Sequence, residues 1–130
     1  MAELVFATES RGSVAPVEGR EDMLRATASG TGPSGEAVSF ESDVVLTGAT
    51  FKENGSIQFG ERGKVRFETV GEGHLEASPQ PDLQWGTVRW RVTGGDGEFQ
   101  GASGFITSNF TVSSNGELVD NQYARIFTSG

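Results

Sequence analysis

Few side chains in this sequence are placed to do chemistry. His74 is the sole histidine, and Glu76 stands two residues on in the same β-rich run, so both side chains point the same way. A carboxylate beside an imidazole fixes its tautomer and raises its pKa, as general acid or base work requires. A second group comprises Arg91, with Arg89 and Arg125, which can bind a carboxylate or stabilise a developing enolate, Tyr123 as proton donor and Asn109 as hydrogen-bond partner. Each group has a plainer reading. An exposed His beside a Glu at a rim is common without function, and arginines on neighbouring strands of an acidic protein usually pair with surface carboxylates. The lone histidine has no nucleophile in a G-x-S-x-G elbow, so spacing supports no Ser-His-Asp triad.

Composition narrows the remaining classes. With 18 acidic against 10 basic side chains, a net charge of −8 repels phosphate backbones and anionic membrane surfaces, which argues against nucleic-acid and membrane partners. No run approaches the roughly 20 apolar residues that cross a bilayer. The start MAELVFATES lacks the basic and apolar regions of a secretory signal, so the cytoplasm is the expected location. Without cysteine there is no thiol nucleophile or thiolate ligand, and one histidine cannot complete a His-based zinc site unaided by carboxylates. No cofactor is expected.

The elements that must position these residues are strands. A chain of 130 residues matches one domain, residues 1–130, and its 19 glycines fall singly between apolar runs as turn and bulge positions. Alternating or apolar β-rich runs occupy residues 4–9, 22–29, 37–46, 50–52 with 56–59, 64–70, 74–77, 85–93, 105–112 and 118–128. Segments 11–20 and 78–82 read as loops, and Pro33 sits in a further turn. The Asn54-Gly55 and Asn115-Gly116 pairs each predict a hairpin, which sets Phe51 opposite Ile57, Ala49 opposite Phe59, Val112 opposite Leu118 and Ile106 opposite Ala124. The expected fold is all-β: an antiparallel barrel.

Alternation sorts the C-terminal strands into two faces. One collects Val88, Trp90, Val92, Ile106, Phe110 and Ile126 with the polar Ser108 and Gln122, and is the predicted interior. There Trp90 and Phe110 line a ligand cavity while Ser108 and Gln122 orient a polar group, unless all four simply fill the core. The other face carries Arg89, Arg91, Asn109, Tyr123 and Arg125 interleaved with Phe105, Val119 and Phe127. That mixture suits an oligomer interface or a polar pocket.

The glycine-rich run from Gly94 to Gly104, GGDGEFQGASG, ends in a strand, lacks a Lys-Ser/Thr pair and carries Asp96 and Glu98 where phosphate would sit, so it is not a nucleotide loop. A wide hairpin connection, with Phe99 plugging one end of the barrel, accounts for it. Followed by a strand, this block resembles the GGTGxFxGAxG pattern of allene oxide cyclase-like and dirigent-like barrels. It departs from the pattern at Asp96, where Thr is common. The resemblance covers chiefly residues 85–128 and marks a structural corner. It implies an eight-stranded, calycin-type barrel with an apolar cavity, in a family that cyclises reactive intermediates or steers phenolic radical coupling, usually without metal or organic cofactor. Two functions follow as expectations. One is a cofactor-free cyclase or isomerase acting on a hydrophobic small molecule; the other is a non-catalytic ligand-binding or structural homo-oligomer.

Overall fold

The computed structural model describes residues 2–128. Its strands are β1 (Ala2–Val17), β2 (Arg20–Thr31), β3 (Ala37–Thr47), β4 (Thr50–Phe59), β5 (Gly63–Thr69), β6 (Gly73–Ala77), β7 (Leu83–Gly95), β8 (Ser103–Ser113) and β9 (Glu117–Thr128). A single 3-10 turn, Gly97–Phe99, joins β7 to β8. Every pairing is antiparallel. Strands β1, β2, β3, β4, β5, β7, β8 and β9 pair in that order and β9 returns to β1, which closes an eight-stranded barrel. β6 is a ninth strand wedged between β4 and β7, where His74 pairs with both Thr50 and Thr87. Closure leaves the eight barrel strands without a free edge.

One of the two Asn-Gly hairpins forms where the sequence puts it. Gly116, at φ +80°, turns β8 into β9 and pairs Val112 with Leu118 and Ile106 with Ala124. The other does not form. Asn54-Gly55 lies inside β4, the preceding turn falls at Gly48, and Phe51 pairs with Leu46 while Ile57 lies between Phe40 and Val65. Gly55 has a packing reason instead: a Cβ there would lie 2.2 Å from the Glu41 carbonyl oxygen, so β3 and β4 can curl together only where no side chain intervenes. The loop expected at 11–20 is likewise mostly strand. β1 continues to Val17, with Pro16, which has no N–H to give to a ladder, beside a register shift.

The interior has two zones. At the closed end the Phe59 ring meets Phe6 edge-on at 5.5 Å and Phe99 at 5.0 Å, and Phe99 is buried there as the expected plug. At mid-barrel the Trp90 indole stacks on Phe67 at 4.1 Å and Phe40 at 5.5 Å. Each such ring contributes roughly 1.5–3 kcal/mol by leaving water. Past Trp90, towards the β6 end, packing loosens.

Candidate functional site

The β6 end of the barrel holds a cavity of about 80 Å³, room for several non-hydrogen atoms, whose mouth is open. Partly exposed Val14, Leu24, Leu46, Leu75 and Val112 ring the mouth, and the rings of Phe51 and Phe110 meet at 5.8 Å in its wall. The deep end is different in kind, for Trp90, Glu53, Ser108 and Asp120 converge there. Among the described residues, Glu53 and Asp120 are the only titratable groups lining the cavity, and no Lys, Arg or His lines it.

Local strand geometry explains both carboxylates. On β4 the inward positions are Phe51, Glu53, Gly55, Ile57 and Phe59; on β9 they are Leu118, Asp120, Gln122, Ala124 and Ile126. Glu53 is 7% exposed and Asp120 2%. All four carboxylate oxygens accept a hydrogen bond. Ser42 Oγ donates to Glu53 Oε2 at 2.6 Å and Trp90 Nε1 to Glu53 Oε1 at 2.9 Å. Ser108 Oγ donates to Asp120 Oδ1, and Gln122 Nε2 to Asp120 Oδ2 at 3.0 Å. The Glu53 backbone is fixed as well: its N–H donates to Thr69 Oγ1 at 2.7 Å, and that hydroxyl donates back to the Glu53 carbonyl at 2.9 Å.

These neighbours favour the ionised form, but burial outweighs them. Desolvation pushes Glu53 up to about 7, against the Ser42 and Trp90 hydrogen bonds and with a further push from the Asp120 charge. Desolvation likewise raises Asp120, opposed by Ser108 and Gln122. The cavity therefore ends in a carboxyl that gains or loses its proton near neutrality, beside a second buried carboxyl.

Of the residues singled out from sequence, Trp90, Ser108, Phe110 and Gln122 come together here. Trp90, Ser108 and Phe110 line the cavity, and Gln122 stands behind it, holding Asp120. His74, Glu76, Arg91, Asn109 and Tyr123 lie on the outer surface and do not reach the cavity. The alternation that turns Leu75 into the cavity wall turns His74 and Glu76 outwards. Arg91 pairs with Glu68 at 2.9 Å and Arg125 with Glu3 at 3.7 Å, as the plainer reading of the arginines expects, whereas Arg89 lies 4.1 Å over the Phe105 ring. Among the described residues no three potential metal ligands converge.

Glu53, Asp120 and Ser42 escaped the sequence reading. Asp120 stood in the same alternating series as Gln122, and counting inward from Leu118 reaches it. Glu53 was hidden by the Asn54-Gly55 pair, which reads as a turn and removes Glu53 from any strand face.

No family model matches the chain, and no curated protein matches it. Among solved structures it is similar to the pterocarpan synthase dirigent protein GePTS1, at 12% identity and a TM-score of 0.69. That match covers 99% of this chain and 89% of the other. The likeness establishes the dirigent-type barrel fold, as the corner block at residues 94–104 implied.

Proposed function

We propose that this barrel binds a small apolar molecule end-on in the β6-side cavity and that Glu53 exchanges a proton with its buried end. The observation that carries this reading is two buried carboxyls, Glu53 and Asp120, at the deep end of a cavity whose walls and mouth are mostly apolar, with burial raising Glu53 to about 7. Apolar walls with a few convergent polar groups are the usual anatomy of a ligand site, and a perturbed acid inside one is matched to proton transfer. Glu53 can give a proton to the ligand, or take one, while Asp120 does the reverse at a neighbouring atom. Such a paired exchange rearranges bonds without net change in protons, which is the cofactor-free isomerase or cyclase expected from the resemblance.

A non-catalytic oligomeric role has its own support. On the outer face of β1, β8 and β9, Val5, Phe105 and Tyr123 are 47%, 41% and 62% exposed, and Val5 and Phe105 both pair with Arg125 in one cross-strand row. Apolar and aromatic groups framed by arginine suit an interface. Native mass spectrometry of protein purified from its own host distinguishes the two. A retained apolar compound that the protein converts, and that Glu53→Gln protein retains unchanged, supports the enzyme. A retained compound that stays unchanged with native protein supports a binding role. Protein that retains nothing and takes up no added hexan-1-ol in calorimetry overturns the cavity reading.

A further inference from the structure

The chemistry of the deep end also bears on which ligands it accepts, given that the cavity is the binding site. Two carboxyls are buried together, and every cationic side chain of the barrel lies elsewhere. Arg62, the least exposed arginine of the surface ion pairs, is engaged with Glu36 and Glu98. Four aromatic residues, Phe40, Phe51, Trp90 and Phe110, line the same cavity, and ring faces attract organic cations. An independent observation comes from β1. Ser10 stands opposite Asp120 in the β1–β9 register, and its hydroxyl is fully buried without a hydrogen-bonding partner. Buried hydroxyls are seldom left so, and although Ser10 does not itself line the cavity, it leaves a spare donor and acceptor beside Asp120.

From this arrangement we infer that the cavity selects organic amines, with the protonated nitrogen at Glu53 and Asp120 and the apolar body crossing the aliphatic mouth. The carboxyls are desolvated already by the fold, so an entering ammonium supplies the charge compensation that the protein omits. It also makes charge-assisted hydrogen bonds, the strong class. A carboxylate or phosphate ligand meets the opposite balance. It would bring like charge into a buried site with no cation, and its hydration would go uncompensated. A neutral alcohol should fall between.

Calorimetric titration with hexan-1-amine, hexan-1-ol and hexanoate at pH 7.5 tests this, because the three share one apolar body. The amine is expected to bind about tenfold or more tightly than the alcohol, and hexanoate to bind more weakly than either. Glu53→Gln and Asp120→Asn should each abolish most of the amine's advantage over the alcohol. Hexanoate binding as tightly as the amine, or variants that keep the amine preference, would overturn the inference and leave the cavity reading standing. Absence of binding by all three would overturn both. Should either variant fail to fold, the ranking of the three ligands on the native protein still decides the matter.

Discussion

Glu53 makes the pH dependence of stability a direct test of the buried site. In the unfolded chain its carboxyl releases a proton near 4.5, whereas in the folded protein it keeps that proton up to about 7. Between those values the folded state binds more protons, so stability falls as pH rises through the window and is fullest below 4.5 as far as this group is concerned. At about 1.4 kcal/mol per pH unit, the gap amounts to about 3 kcal/mol lost by pH 8. The perturbation is Glu53→Gln, which keeps the shape and an oxygen for the Trp90 N–H but cannot ionise. Urea unfolding at intervals from pH 5 to pH 9 gives the two stability curves. They should already be separating at pH 5, draw apart most steeply up to about pH 7, and run nearly parallel above it, where the folded carboxyl ionises too. At pH 8 the variant should lead by about 3 kcal/mol, on the order of 1–3 M in urea midpoint. Asp120→Asn should behave in the same direction, since burial raises that group too. Curves that stay parallel across the range, or a native protein that gains on the variant as pH rises, would refute the claim that Glu53 is desolvated.

Other outcomes follow from the same contacts. Gly55→Ala should destabilise by roughly 1–3 kcal/mol in thermal or urea unfolding, because the new Cβ would fall 2.2 Å from the Glu41 carbonyl oxygen and two backbones must part. Leu75→Trp, at the partly exposed mouth, should weaken hexan-1-ol binding at least tenfold in calorimetry, with far-UV dichroism unchanged and little loss of stability. Light scattering should give a multiple of the 13.8 kDa chain mass, and Phe105→Glu should return it to one chain by placing a carboxylate in the exposed apolar face.

How far the sequence could be read turns on what each signal encodes. Alternation is a property of the strand backbone itself, so the interior face of β7, β8 and β9 was legible, and with it the placement of Trp90, Ser108, Phe110 and Gln122. The corner block Gly94 to Gly104 carried the fold because glycines crowded against β5 and a buried Phe99 are demanded by barrel closure, whatever the barrel binds. Turn chemistry was weaker evidence. Asn-Gly permits a tight turn without requiring one, and at Gly55 the missing Cβ answers a demand from β3 that local sequence cannot display.

The carboxylates were obscured for a related reason. Polar residues in an alternating strand are ordinarily read as facing water, since burying a charge costs several kcal/mol. That prior is sound for Glu41 and Glu68, which do face water. It fails at Glu53 and Asp120, where the cost is met by hydrogen-bond donors on β3, β7, β8 and β9 that only the closed barrel brings together. Ser42, Trp90, Ser108 and Gln122 look dispersed along the chain, yet each aims a donor at one of two carboxyls. A fold that needed only a core would fill these positions with Val or Leu and gain stability by doing so. Retaining two acids, each with two donors, beneath a ring of apolar side chains is the pattern expected where burial serves a ligand's chemistry.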